Sequence, residues 1–547
     1  MDDKSPSSLE QQLRSAFPAP DEIPAEFRPD PTPYERLYLL DGKVRAWEGE
    51  VSEVGSPIFQ RTGAGLERTI IGHAPVMDDT AVMAAVDAAA RAWDGGHGVW
   101  PTMSVSGRID AVEKFLALMI PARDEVVRLL MWEIGKTLED SRKEFDRTVE
   151  YIRRTIEALK ELDRASSRFA LDAGIIAQIR RSPLGVCFSM GPFNYPLNET
   201  YTTLLPALVM GNTAVVKPAK FGTLVHQPLL RAFAESFPPG VVNFIYGRGG
   251  KIVEPILRSG RIDVLAFIGT SRVADVLKQQ HPHPHRMRAV LGLDAKNPAL
   301  IMPDADLENA VKESVLGALS FNGQRCTALK IFFVHESIAD EFLGRLGEAV
   351  NALPFGMPWQ PKVRITPLPE PDKAAKLKAY IDDAAAKGAK VINPGGGTAC
   401  ESLFFPAVVH PLAADTGLYH EEQFGPVLPV CSYREEREFF DFVTRSNYGQ
   451  QVSLFGNDPA KIGVLIDKLA NQVCRINLNS QCQRGPDSLP FTGRKDSAEM
   501  TLSITDALRA FSIRTLVAAS SNPANRDLIQ DIVNSRKSSF LNTDFIL

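Results

Sequence analysis

The sequence predicts an α/β protein in which helices cover parallel sheets. Three observations carry that reading. Short apolar runs at Leu184–Ser189, Thr213–Lys217, Val241–Tyr246, Ile262–Ile268 and Ala289–Leu293 alternate with helical stretches at 197–210, 222–236, 251–259 and 271–280. Strands apolar on both faces belong in a sheet covered on both sides, and helical crossovers join parallel strands. A further α/β unit begins near residue 295. Finally, 547 residues are too many for one core, so two or three domains are expected.

The elements follow in chain order. Residues 1–35 are rich in Pro, Asp and Ser and read as an arm or wrapping tail. Residues 79–164 are mostly helical by pattern. One helix runs near 80–94 and stops at Gly95-Gly96, since glycine ends helices. Another spans about 139–162, with Phe145, Val149, Ile152, Ile156 and Leu159 on one face. The strands from 184 to 293 come next, and ligands of such sheets bind beyond the carboxyl ends of the strands. A helix from Ala305 to Ser320 is expected, with Asp304 as its cap. In 523–547, Leu528, Ile529, Ile532 and Val533 share one face of a short helix, so the tail is expected to dock on the body or on a partner subunit.

Composition narrows the function classes. Apolar residues make up 44% and charged residues 23%, as in ordinary globular proteins. A net charge of −5 argues against a nucleic-acid surface. No run of 18 apolar residues offers a membrane span, and Met1-Asp2-Asp3-Lys4-Ser5-Pro6 lacks the apolar core of a signal peptide. Six cysteines with no CxxC pair are too sparse for a disulfide framework, so a reducing, cytoplasmic setting is expected. His281, His283 and His285 alternate with prolines without an acid or cysteine at ligand spacing; they read as a solvated loop, and no metal is expected.

Three segments carry chemistry. Cys326 lies in Phe321-Asn322-Gly323-Gln324-Arg325-Cys326-Thr327, a tight polar turn after a helix. Asn194 lies in Gly191-Pro192-Phe193-Asn194-Tyr195-Pro196, after a strand. Phe267-Ile268-Gly269-Thr270-Ser271 joins a strand to a helix, where backbone N–H groups can approach a phosphate. Cys187, Cys400, Cys431 and Cys474 read as small buried hydrophobes, and Cys482 as a wall residue. Gly247-Arg248-Gly249-Gly250 reads as a turn.

In their order and spacing these segments resemble the aldehyde dehydrogenase superfamily, over about residues 60–517. With Gly323-Gln324-Arg325-Cys326, Gln483-Arg484-Gly485-Pro486-Asp487 and Pro490-Phe491, the likeness narrows to the NADP-dependent, non-phosphorylating glyceraldehyde-3-phosphate dehydrogenases. The resemblance implies a Rossmann-type cofactor domain (36–165 and 183–294), an α/β catalytic domain (295–508) and a small β oligomerisation extension (166–182 and 509–522). The arm (1–35) and the tail (523–547, beyond the usual family length) flank them. Residues 168–182 and Ala510–Ala518 match intersubunit strands, which implies a homodimer or homotetramer.

Site roles follow from the same resemblance. Cys326 would attack a small aldehyde, lose hydride to a nicotinamide and be left as a thioester. Arg325 adds a positive charge that would favour the thiolate. The Asn194 amide and the Cys326 N–H would stabilise the oxyanion. Lys217 would bond the adenosine ribose, Gly269 and Thr270 would meet the pyrophosphate, and Glu422, with Phe424 nearby, would hold the nicotinamide ribose. Lys220 stands where NAD-specific members place a glutamate, so NADP is expected, with NAD possible; the alternative is a solvated surface lysine. Arg147, Tyr195, Arg325 and Arg484 match the positions that hold the substrate phosphate.

The chain departs from the family at 291–298. The family reads Glu-Leu-Gly-Gly-Lys, and its glutamate activates water. Here Gly292 takes the glutamate's place, in Leu291-Gly292-Leu293-Asp294-Ala295-Lys296. Asp294 points to the same side if the strand persists, and so reads either as a substitute base or as a turn or capping acid. Members that acylate CoA also lack this glutamate. Three readings result: an NADP-linked dehydrogenase that hydrolyses its thioester, a CoA-acylating dehydrogenase, or an impaired oligomeric member of the fold. Intact Cys326, Asn194, Lys217 and Glu422 argue against the third.

Overall fold

A computed structural model describes residues 8–30 and 36–545. The expected arm at 1–7 and 31–35, and the tail at 546–547, lie outside the described residues. The first sheet has five parallel strands, in the spatial order Val242–Phe244, Thr213–Lys217, Val186–Met190, Val264–Ile268, Arg288–Gly292. Antiparallel strands Leu37–Leu40 and Ala498–Glu499 join its two sides. The first of the five in the chain lies in the middle: the winding runs out one way, then returns to the other. The crossover directions therefore diverge between Val186–Met190 and Val264–Ile268, which opens a crevice beyond their carboxyl ends. The middle strand is buried throughout, as a doubly covered sheet requires.

The predicted runs mark these strands, with small shifts. Leu184 and Gly185 precede the first strand, and the helical stretch at 222–236 begins as a 3-10 segment, Leu224–Leu229. Pro228 within it has no N–H for an α-helical ladder. The helix near 80–94 is Asp79–Trp93, and its left-handed cap is Asp94 (φ 48°), one residue before the two glycines. Helix Leu138–Ala165 buries the expected face through Phe145, Val149, Ile152, Ile156 and Leu159.

A second sheet places six parallel strands in the order Ala407–His410, Val427–Tyr433, Ile331–His335, Pro298–Ile301, Gln451–Phe455, Arg475–Leu478. The helix expected from Ala305 is Leu307–Leu319, and its cap is Asp306, not Asp304. The Asp306 carboxylate accepts from the Glu308 and Asn309 N–H groups, whereas Asp304 accepts from Asn457. A third, antiparallel sheet pairs Ser512–Ser520 with Ile175–Pro183, and the latter with Phe169–Asp172. It leaves Leu171, Ile179, Ile513 and Leu516 exposed.

A long hairpin, Val51–Thr62 with Gly65–Pro75, lies beside the described part of the arm. Helix Ser8–Ala16 buries Leu13, and Phe17 follows it into a cluster with Ile58, Ile71, Met357 and Leu403. At the other end, helix Pro523–Asn534 forms, but none of its residues is buried, and Leu528 is exposed. Docking falls to the segment after it. Leu541 is buried, Asp544 accepts from the Ser106 N–H and hydroxyl, and the Phe545 carbonyl accepts from Arg164. Among the described residues no helix is long and apolar enough to cross a membrane.

Candidate active site

A cavity of about 980 Å³ opens at the crevice beyond Val186–Met190 and Val264–Ile268. Cys326, Asn194, Asp294, Lys220, Gly269, Thr270, Glu422, Phe424, Arg147, Tyr195, Arg325 and Arg484 all line it; Lys217 does not. Gly292 lines it too, at the end of its strand.

Cys326 is held by an unusual backbone. Phe321, Asn322 and Gly323 are consecutive left-handed residues, with φ of 48°, 55° and 71°. A Cβ at Gly323 would lie 2.6 Å from the Ala318 carbonyl and 2.7 Å from that of Gly425, so only glycine fits. Asn322 tolerates the conformation and anchors it: its amide donates to the Thr366 carbonyl and accepts from the Thr366 N–H at 3.0 Å. Three residues that the sequence reading passed over fix the next turn. Asn297 and Lys330 donate to the Cys326 carbonyl at 2.8 and 2.9 Å, and Gln450, which accepts from Asn297, lines the cavity beside the thiol. No local pattern marks them, because each lies in a separate loop, one residue before a strand of the second sheet.

The Asn194 amide donates to the Gln324 carbonyl at 2.8 Å, which ties the two loops together and leaves the amide's second N–H for another acceptor. Beneath it, fully buried Lys136 pairs with Glu144, donates to the Asn194 carbonyl and lies 3.6 Å from the centre of the Tyr195 ring. Glu144 also accepts from the Leu197 and Asn198 N–H groups. This buried pair thus carries the whole Asn194 turn.

On the other wall, Glu422 pairs with Lys330 at 2.9 Å and accepts from the Ala295 N–H, and burial pushes its carboxyl up. Phe424 meets Phe193 edge to face at 5.8 Å. These residues fit an extended dinucleotide. A Cβ at Gly269 would sit 2.3 Å from the Phe267 ring, so the backbone stays bare where helix Ser271–Gln280 starts. Lys217 donates to the Pro218 carbonyl, and burial pushes its ammonium down to about 8. Asp294, expected as a base or a capping acid, accepts at Oδ2 from the Ser271 N–H (2.7 Å) and hydroxyl (2.9 Å).

The arginines differ from the expected set of open forks. Arg147 makes a two-bond fork to Asp487, at 2.9 and 2.6 Å. Arg484 pairs with Glu199 and stands 3.4 Å from Asp487. Arg325 donates to the Leu316 and Gly317 carbonyls and to Gln481. It makes no ion pair among the described residues, and its buried Nε lacks a partner.

The model of the aldehyde dehydrogenase family matches residues 62–516. The chain belongs to the aldehyde dehydrogenase family. It is 33% identical over 404 residues to the NADP-dependent glyceraldehyde-3-phosphate dehydrogenase of Streptococcus equinus, covering 73% of this chain and 83% of that one. It is 28% identical over 407 residues to a malonate-semialdehyde dehydrogenase of Listeria innocua, covering 74% of this chain and 82% of the relative. A solved NADP-dependent glyceraldehyde-3-phosphate dehydrogenase from Bacillus halodurans C-125, complexed with NADP, superposes with a TM-score of 0.82 at 28% identity, over 89% of this chain and 100% of that one.

For this aldehyde dehydrogenase, the expected thiolate-favouring effect of Arg325 is outweighed. Burial pushes the Cys326 thiol up, more than nearby Lys330 and Arg325 lower it. Because the thiolate is the reactive form, alkylation of the cofactor-free enzyme by iodoacetamide should rise with pH through a midpoint above the ordinary thiol value. A midpoint below that value, measured with Cys326 modification followed by mass spectrometry, would contradict the burial.

Proposed function

We propose that this enzyme oxidises a small aldehyde bearing an anionic group, such as glyceraldehyde 3-phosphate, with NADP and through a thioester on Cys326. The observation that carries the reading is one cavity holding Cys326, Asn194 and Arg325. Cys326 adds to the carbonyl, and the oxyanion takes the second N–H of Asn194. Arg325, the one arginine of the three without a carboxylate partner, takes the substrate's anion. Arg147, Arg484 and Tyr195 frame that end. Bound NADP supplies the hydride acceptor. Glu422, Phe424, Gly269 and Thr270, which line the cavity, would hold it together with Lys217, and Lys220 would supply a positive charge for its extra phosphate. The exposed apolar positions of the third sheet support a homo-oligomer.

The test is an aldehyde panel with NADP or NAD, each with and without CoA, following reduced cofactor. Phosphorylated or carboxylated aldehydes should give the highest kcat/KM with NADP; a preference for neutral aliphatic aldehydes would sink the substrate reading. For cofactor choice, a charge-assisted phosphate contact is worth about 1.5–3 kcal/mol, so Lys220→Glu should shift the NADP/NAD ratio toward NAD by roughly 10- to 100-fold. An unchanged ratio would assign the choice elsewhere.

A second reading has its own support. Gly292 offers no base, and in the cofactor-free enzyme the Asp294 carboxylate is engaged by Ser271. In that reading a CoA thiolate attacks the acyl carbon, and the Cys326 sulfur leaves as thiolate.

A further inference from the structure

The start of helix Ser271–Gln280 is the place at this crevice where an anionic bridge between two nucleotides would lie. Two of the three backbone N–H groups of its first turn, those of Ser271 and Val273, already have acceptors. The Ser271 N–H and hydroxyl both bind Asp294 Oδ2, at 2.7 and 2.9 Å. The Val273 N–H turns back to Thr270. Asp294 reaches this point because two loops run side by side: the Gly269 N–H donates to the Gly292 carbonyl at 3.0 Å, and the Leu293 N–H to Ser497. Asp294 is partly exposed and lines the same cavity as Gly269 and Thr270.

A carboxylate seated on these donors presents the wrong charge to an arriving phosphate. Two anions cannot share one N–H and one hydroxyl, and like charges at hydrogen-bond range repel strongly where water is scarce. We propose that Asp294 is a built-in competitor for the anionic bridge of the cofactor: its carboxylate holds the helix-start donors in the cofactor-free enzyme and leaves them when the dinucleotide binds. The inference rests on the NADP reading above. It makes Asp294 a residue that sets cofactor affinity, and with it cofactor release, in place of the ordinary helix-capping acid that its hydrogen bonds alone would suggest.

The two roles separate by binding measurements without aldehyde. NADP would be titrated by calorimetry into the full-length wild type, Asp294→Asn and Asp294→Ala, with adenosine 2′-monophosphate as a second ligand. The asparagine keeps a capping acceptor and loses the charge, so it guards against a variant that folds poorly. Competition predicts tighter NADP binding in both variants, on the order of 10-fold, the scale of one charge-assisted contact. Adenosine 2′-monophosphate lacks the bridge, and its affinity should stay within about 2-fold. Wild-type binding of NADP with equal or weaker binding in both variants would overturn the inference and leave the cofactor reading standing. A gain for adenosine 2′-monophosphate as large as that for NADP would also overturn it, by showing a general charge effect. Failure of all three proteins to bind NADP or NAD would overturn the cofactor reading and this inference with it.

Discussion

Cys326→Ser should abolish steady-state reduction of the cofactor, by roughly 10⁴-fold or more, because a covalent nucleophile is removed outright. Any pre-steady-state burst should vanish too, since hydride leaves only after sulfur has added to the aldehyde. Cofactor affinity should stay close to that of the wild type. The substitution is small, and the surrounding hold on residue 326 runs through its carbonyl, from Asn297 and Lys330, which serine retains. Stopped-flow absorbance of the reduced nicotinamide, beside a calorimetric titration of cofactor, separates the two effects. A variant that turns over at near the wild-type rate would remove the central chemical claim.

The second large effect concerns Gly292. Without a carboxylate there, hydrolysis of the thioester should be the slow step. Reduced cofactor should appear in a fast burst of about one equivalent per site, followed by slow turnover, since general-base help is typically worth 10²–10⁴-fold. Gly292→Glu should then raise the steady rate on the order of 10²-fold while leaving the burst alone. The backbone allows the change: φ is not left-handed, and the nearest atoms to a new Cβ are side-chain carbons of Ile268 and Leu502 at 3.5 Å, an ordinary contact. Added CoA should raise the steady rate in the wild type if a thiol is the natural acceptor. Linear product formation, unaltered by CoA or by the substitution, would mean that deacylation does not limit turnover.

How far the sequence spoke for itself depended on how local the signal was. Thr213–Lys217 was legible to the residue, because a β-branched run has turns at both ends. The buried face of Leu138–Ala165 was legible because one helical period suffices to read it. The long hairpin Val51–Thr62 with Gly65–Pro75 escaped notice; its register shifts near Val54, Gly55 and Phe59, which breaks the alternation that reveals a strand. The capping acid was misplaced by two residues because Asp304 and Asp306 look equivalent in a string. Only the chain direction decides which one faces the first turn. Cys326, Asn194 and the helix start at Thr270 were visible as motifs. Asn297, Lys330, Gln450 and the buried Lys136–Glu144 pair were not, since each matters only through a partner brought close by the fold. The arginine positions could be named in advance; their pairing with Asp487 and Glu199 could not.

That pairing bears on how the enzyme lives among other solutes. Arg147 and Arg484 carry two positive charges, and Asp487 and Glu199 return two negative ones within the same wall. An inorganic phosphate or sulfate at this wall would find those two counter-charges already paired, with Arg325 the one arginine of the three outside an ion pair among the described residues. A lone contact of that kind gives weak retention. On the proposed reading, loose anions would be held weakly there, and a substrate would owe its retention to the carbonyl it delivers to Cys326 as well as to its charge.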